Sequence, residues 1–331
     1  MIKELIRVSK ARNWMKKNSP FLYSWHAYVG YELDLFAAFK KGATIEEVAH
    51  SHGIQRDLLR RWAEVGVSLK HLKEKGNNKY KTSSHKVKTL RQDNPKTVGV
   101  LLKEMMELHI PTLLEYPEYM KNRSRATFDH EKHGATVAET SALLEQFVFF
   151  KLKKLVKEHN LSSVLDVGCG TGGYLQRLAV AFPELAMLGV DLNEEVIETA
   201  RARTHDEMKI KFMCADLQTF TPTDKIDLVL ANNVLHYIEP TEREAFFSRL
   251  EGWLTSNGRI FMITPIYQSK HGKKFSNAFN SFFTAYDNLY PLPSLKTLEE
   301  FAQNNGLKVE KICPIIREGG WYYLVFKKAP R

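Results

Sequence analysis

The segment VLDVGCGTGGYLQRL, residues 164–178, joins an apolar strand pattern to a glycine-rich turn and the start of a helix. It contains Gly168-x-Gly170-x-x-Gly173, the spacing of a dinucleotide-binding turn. Such a turn binds pyrophosphate through backbone N–H groups at the amino end of a helix. Asp166 lies two residues before the first glycine, and its carboxylate would repel a phosphate. The segment therefore predicts a ligand that brings positive charge to this turn, such as an ammonium or a sulfonium.

The strand pattern continues to the end of the chain. Apolar runs alternate with helical stretches such as 174–182 and 194–203, which predicts a doubly wound, mostly parallel α/β sheet. A short connection, PIIREGG, joins the last two runs and predicts an antiparallel pair, because a parallel crossover needs a dozen or more residues. The seven runs are SSVLDVG, AMLGVDL, KIKFMCAD, IDLVLANN, GRIFMITP, LKVEKIC and WYYLVFKK.

The spacing Asp166-x-Gly168-x-Gly170-x-Gly172 closely resembles the first motif of class I S-adenosylmethionine-dependent methyltransferases. The resemblance implies a seven-stranded Rossmann-like sheet and S-adenosyl-L-methionine as cofactor. That cofactor has no phosphate and carries an α-amino group and a sulfonium, so it fits the charge argument. The resemblance is close over residues 160–265 and looser to residue 327.

Acids follow three predicted strands in order. Asp191 ends the second strand, where a carboxylate can accept hydrogen bonds from ribose hydroxyls, and this residue alone fits NAD equally well. By resemblance, Asp216 meets the adenine amine, and the stretch from Asn232 closes over the methionine portion. The predicted cofactor-binding set is Asp166, Gly168, Gly170, Gly172, Asp191, Leu192, Asp216, Leu217, Asn232 and Asn233. We predict no metal site.

His236, in NNVLHYIEP, is the candidate catalytic base. It follows the fourth strand at the edge where active sites of open α/β folds lie, and histidine can accept a proton near neutral pH. Small-molecule O-methyltransferases with an N-terminal winged-helix dimerisation domain often read HDW here, whereas this chain reads His236-Tyr237-Ile238. The alternative is that His236 simply packs over the cofactor pocket.

The first 100 residues have a different pattern. ELDLFAAFKKG (32–42) predicts a short helix, and Thr44 with Glu47 predicts a capping box on the next helix, which ends at Gly53. A third helix and a hairpin at KEKGNNKYKTS complete a winged-helix pattern. We expect a mainly α-helical dimerisation domain over 1–100, a helical bridge to the substrate pocket over 101–158, and a cofactor-binding domain over 159–331.

Charge and composition leave two other functions open. The 331 residues carry a net charge of +10, and nine Lys or Arg residues but two acids lie between Lys70 and Lys96. A winged-helix DNA-binding regulator or a nucleic-acid methyltransferase is therefore the first alternative. An NAD-dependent oxidoreductase is the second, although its Tyr323-x-x-x-Lys327 pair lies in a predicted strand rather than a helix.

The remaining composition favours a cytoplasmic enzyme. Three cysteines without paired spacing indicate a reducing compartment. No apolar run approaches the roughly 18 residues that a membrane span needs, and the basic start lacks the apolar region of a secretory signal. We expect a homodimer, joined through the N-terminal domain, that methylates a small molecule, most simply an oxygen of a hydroxylated metabolite.

Overall fold

The chain divides into two compact units, residues 1–111 and 112–331, in a computed structural model that describes residues 2–122, 124–205 and 207–329. The division falls inside the helical bridge expected over 101–158. The expected boundaries at residues 100 and 158 stay predictions.

The first unit is mainly helical. Its elements are α1 (Ile2–Glu32), α2 (Leu35–Ala38), β1 (Ala43–Thr44), α3 (Ile45–His52), α4 (Arg56–Ser68), β2 (Leu72–Lys75), β3 (Lys79–Thr82), α5 (Ser84–Val87) and α6 (Gly99–Glu104). A 3₁₀ turn covers Lys88–Leu90, a π-helical turn covers Met105–His109, and α7 (Ile110–Leu114) spans the division.

Local sequence signals place α3 and the hairpin as predicted. The Thr44 side chain accepts a hydrogen bond from the Glu47 backbone, the Glu47 carboxylate accepts one from the Thr44 backbone, and Gly53 ends the helix in a left-handed conformation. Strands β2 and β3 pair antiparallel, with β1 on the other side of β3. The order of helix, turn, helix and hairpin is therefore the predicted one.

The prediction of a single helix over residues 32–42 is wrong in its bounds. Helix α1 runs on to Glu32, and α2 covers four residues, Leu35–Ala38. Asp34 adopts a left-handed conformation with φ of 49° between them, which α-helical geometry does not allow. The chain turns there so that Leu35 and Phe36 reach the core of this unit.

The second unit contains the α/β domain. Its elements are α8 (Tyr116–Asn122), α9 (His130–Glu158), β4 (Ser163–Val167), α10 (Gly173–Ala181), β5 (Ala186–Asp191), α11 (Glu194–Ala202), β6 (Ile210–Cys214), β7 (Ile226–Asn232), α12 (Arg243–Trp253), β8 (Leu254–Pro265), α13 (Lys273–Thr284), α14 (Leu295–Asn304), β9 (Leu307–Ile316) and β10 (Trp321–Lys328). Short 3₁₀ turns cover Leu235–Tyr237 and Pro240–Glu242.

The predicted seven-stranded sheet is confirmed, with strand order β6-β5-β4-β7-β8-β10-β9. Neighbouring strands from β6 to β8 are parallel, and β10 is antiparallel to both β8 and β9. Helices α9 and α10 pack on one face of the sheet, and α12 and α14 pack on the other. The strand order reverses between β4 and β7, and ligands of such sheets bind beyond the carboxyl ends of the strands at that reversal.

The described residues contain no helix both long and apolar enough to cross a membrane.

Candidate functional site

The glycine-rich turn between β4 and α10 is fixed to the neighbouring strand by its backbone. The N–H groups of Gly168 and Cys169 both donate to the carbonyl of Val190, at 2.8 and 3.0 Å. Gly168 has φ of 69°, and a Cβ there would lie 2.6 Å from Cγ1 of Val234. Gly172 caps α10 with φ of 78°. The turn thus needs glycine at these two positions for both conformation and space.

Asp166 lies beneath this turn and is 1% exposed. Its Oδ2 has no hydrogen-bond partner among the described residues. Burial raises the pKa of the Asp166 carboxyl well above its usual value, and the nearby carboxyls of Glu145 and Asp191 raise it further. A phosphate at this position would add more negative charge, whereas an ammonium would supply the missing donor. The residues present therefore fit the cationic ligand that the sequence predicts.

Asp191, at the end of β5, is held by two backbone groups. Its Oδ2 accepts from the N–H of Gly170 at 2.9 Å, and its Oδ1 accepts from the N–H of Asn193 at 3.1 Å. Each carboxylate oxygen can accept a second hydrogen bond, so capacity remains for two ribose hydroxyls. The side chain of Leu192, the next residue, is exposed.

Asp216 and Leu217 follow the edge strand β6. Oδ1 of Asp216 accepts from the backbone of Gln218 at 2.8 Å, and the residue is exposed. Leu217 is partly buried against the core of the sheet. Strands β4, β5 and β6 are parallel neighbours, so the structure brings Asp166, Asp191 and Asp216 to one edge of the sheet in the predicted order. Their contacts with a cofactor stay predictions.

Asn232 and Asn233 differ in their surroundings at the end of β7. The Asn232 amide is buried, and neither Oδ1 nor Nδ2 has a partner in the described part of the chain. Asn233 has φ of 55°, its N–H donates to the carbonyl of Ile263 at 2.7 Å, and its Oδ1 accepts from Nε1 of Trp321 at 3.3 Å. Asn232 therefore has unused hydrogen-bonding capacity, whereas the contacts of Asn233 hold the loop to β8 and β10.

His236 lies in the 3₁₀ turn after β7 and is 8% exposed. Its ring stacks on Phe283 of α13, with centroids 4.5 Å apart, and contacts the Tyr237 ring at 4.3 Å. Burial lowers the pKa of His236 to about 3, and the charges of Arg243 and His130 act in the same direction. The imidazole is therefore neutral at physiological pH and is a weak base.

Glu145 is an acid at this site that sequence reasoning missed. It lies on α9, its side chain is 15% exposed, and its Oε2 is 3.7 Å from Nε of Arg177. Burial raises the pKa of its carboxyl to about 6. A signal was present, because Glu145 is the one acid in the apolar stretch LLEQFVFF.

Comparison with known proteins identifies the central part of this unit. Residues 164–258 match a family model described as a methyltransferase domain. Malonyl-[acyl-carrier protein] O-methyltransferase 1 of Ilyobacter polytropus is 27% identical over 175 residues, which is 51% of this chain and 59% of that protein. Trans-aconitate 2-methyltransferase of Methylobacterium radiotolerans is 33% identical over 101 residues, 30% of this chain and 37% of that protein. The chain thus spans about half the length, or less, of these curated relatives.

Solved structures share the fold over nearly the whole chain. Human N-acetylserotonin methyltransferase in complex with SAM has a TM-score of 0.77 at 14% identity, covering 97% of this chain and 98% of that one. An O-methyltransferase family protein from Burkholderia thailandensis has a TM-score of 0.75 at 18% identity, covering 99% and 98%. These likenesses extend to both units, whereas the family model matches part of the second.

Proposed function

We propose that this chain, whose residues 164–258 belong to the methyltransferase domain family, transfers the methyl group of S-adenosyl-L-methionine to a small molecule. The buried Asp166 beneath the glycine turn carries the proposal, because its Oδ2 has no hydrogen-bond partner among the described residues. In this arrangement the turn holds the methionine portion, Asp191 holds the ribose, and Asp216 holds the adenine amine. When bound, the cofactor supplies an electrophilic methyl group and its own leaving group.

The acceptor atom is an oxygen of a hydroxylated, flat metabolite. The rings of Tyr237 and Phe283 contact His236 and support this choice. Further rings of the second unit connect to these two: Phe128, His130, Phe282 and Tyr286. Relatives and structural neighbours whose printed names specify O-methylation support it as well. The protein's main task is then to align the hydroxyl with the methyl group and exclude water.

His236 would accept the proton of the acceptor hydroxyl, and the bound cofactor would supply the methyl group to that oxygen. Its neutral ring is always available as an acceptor at physiological pH, but its pKa of about 3 makes proton transfer from an aliphatic alcohol strongly uphill. Transfer from an acidic hydroxyl, such as a phenol, is less uphill, so the site favours such an acceptor over an aliphatic alcohol. If His236 only packs over the pocket, alignment alone carries the reaction.

The first unit forms a winged-helix homodimerisation domain. Helix α1 supports this, because it carries large apolar side chains that are at least 40% exposed: Ile2, Leu5, Ile6, Val8, Trp14, Met15, Phe21, Leu22 and Tyr23. Sedimentation at several protein concentrations tests the dimer. The wild type should sediment as a dimer, and the Trp14→Glu variant should sediment more as a monomer. The three free cysteines fit a reducing, cytoplasmic location.

Calorimetry with S-adenosylmethionine and, separately, NAD⁺ tests the cofactor. Binding of the sulfonium cofactor alone supports the proposal, and binding of NAD⁺ alone would refute it. A screen of phenols and aliphatic alcohols with a labelled methyl donor then tests the acceptor class.

A further inference from the structure

Glu145 lies against the glycine turn although it comes from a helix that precedes the whole sheet. A Cβ added to Gly173, the first residue of α10, would lie 2.4 Å from Oε2 of Glu145. The absence of a side chain at residue 173 therefore lets the carboxylate reach the amino end of α10. This places Glu145 beside the same turn that Asp166 underlies.

Glu145 acts electrostatically on Asp166, and one buried acceptor of Asp166 is unused. The Glu145 carboxyl raises the pKa of the Asp166 carboxyl, in line with its position against the same turn. Oδ2 of Asp166 is buried without a partner in the described residues. The cation facing Glu145 is Arg177, at 3.7 Å, and its side chain is 42% exposed. Arg177 lowers the pKa of the Glu145 carboxyl, but the separation is too long for a strong charge-assisted hydrogen bond, and burial still leaves that pKa raised to about 6.

The other groups that act on the Asp166 carboxyl in the described part of the chain add no positive charge. Asp191 from β5 raises the pKa of the Asp166 carboxyl, and the Tyr174 hydroxyl of α10 has its own pKa raised by burial and by Glu145. Buried carboxylates in such a setting are stabilised by a cation that donates hydrogen bonds. An ammonium group is a cation of this kind and has three donors.

We propose that Glu145 and Asp166 form a two-carboxylate site for the α-ammonium group of the cofactor. The inference rests on the proposed function and adds Glu145 as a specificity-determining residue. In the free protein a proton partly neutralises the pair, and ammonium binding displaces that proton. The pair thereby selects adenosine derivatives that carry an amino acid portion.

Calorimetry with three ligands tests the site. S-adenosylmethionine and S-adenosylhomocysteine both carry the ammonium, the first alone carries the sulfonium, and 5′-methylthioadenosine carries neither. Glu145→Gln should lower the affinity for S-adenosylmethionine and S-adenosylhomocysteine by about tenfold or more, the order expected for a hydrogen bond to a charged group. It should leave methylthioadenosine binding unchanged, which also shows that the variant is folded. Glu158→Gln, at an exposed position of the same helix, is the matched control.

Proton release gives a second readout. Since the pKa of Glu145 is about 6, wild-type protein at pH 6 should release about half a proton more than Glu145→Gln when S-adenosylhomocysteine binds. The heats measured in buffers of different ionisation enthalpy give this number. Arg177→Gln should not weaken binding, because Arg177 is not part of the site.

Several results would overturn the inference. One is unchanged affinity of Glu145→Gln for S-adenosylmethionine and S-adenosylhomocysteine. Another is a loss of affinity in Glu145→Gln that extends to methylthioadenosine or that is confined to S-adenosylmethionine. The last is an equal loss of affinity in Arg177→Gln. Wild-type protein that binds none of the three ligands would overturn the proposed function itself.

Discussion

Lowering the pH from 7 to 5 is expected to destabilise the first unit through two buried histidines, His26 of α1 and His71 beside β2. Both side chains are fully buried. Their Nδ1 atoms are 2.8 Å apart, and Nε2 of His26 is 3.1 Å from the carbonyl oxygen of Trp62. A carbonyl only accepts, so we assign the His26 proton to Nε2. Nδ1 of neutral His26 then accepts from Nδ1–H of His71.

A further proton would have no hydrogen-bond acceptor here, because Nε2 of His71 is buried without a partner among the described residues and Nδ1 of His26 already faces the N–H of His71. Burial lowers the pKa of His26 to about 3 and that of His71 to about 4. The charge of His71 lowers the pKa of His26 further, and the charge of Lys86 lowers that of His71 further. In the unfolded chain both histidines bind protons below about pH 6.5. The stability from keeping them neutral is therefore complete above that pH and is lost as the pH falls toward the folded values. At about 1.4 kcal/mol per pH unit, each histidine costs roughly 2 kcal/mol at pH 5.

Hydrogen exchange of α4 peptides at pH 7, 6 and 5, corrected for the intrinsic exchange rate, measures the local free energy of opening. We expect a fall of about 4 kcal/mol between pH 7 and 5 in the wild type, the sum for two histidines. His71→Asn keeps an N–H donor toward His26 but cannot titrate, so it should show about half that fall. His50→Asn, at an exposed position of α3, should behave like the wild type. A wild-type value independent of pH, or an unchanged fall in His71→Asn, would refute the reasoning.

Three further predictions concern the site and the first unit. Asp191→Ala should weaken S-adenosylmethionine binding more than tenfold, about 1.4 kcal/mol, and unchanged affinity by calorimetry would remove the ribose assignment. His236→Ala should lower the turnover of labelled methyl transfer while cofactor affinity stays near the wild-type value; equal turnover would leave alignment as the whole mechanism. In a gel-shift assay across a salt series, the full chain should show no salt-dependent retention of DNA, and retention that weakens as salt rises would favour the regulator alternative.

Much of the fold could be predicted because its signals are local. Each of the seven strands is an apolar run between turn residues, and the short link before Trp321 already required an antiparallel pair. The capping box at Thr44 and Glu47 involves residues three apart. Helix α1 was less evident, because most of its large apolar side chains are exposed rather than packed in a core.

The candidate site could be predicted in part for the same reason. Asp166, Asp191 and Asp216 each lie at the end of a strand. Backbone pairing of parallel strands brings their carboxyl ends to one edge of the sheet, independently of side-chain packing. Glu145 is different, because its distance from Asp166 depends on how α9 packs across the sheet. The neighbouring sequence of a glutamate in an apolar helix does not indicate which distant residue it will contact.

The sequence by itself therefore determined the order and type of the sheet elements, the glycine turn and the acids that follow the strands. Tertiary structure alone decided which of these groups are dehydrated and which face one another. It made His236 a weak base by burying it, paired His26 with His71 across 45 residues, and brought Glu145 to the turn. The physical reason is that hydrogen-bonded elements form from neighbouring residues, whereas burial and charge coupling depend on long-range packing.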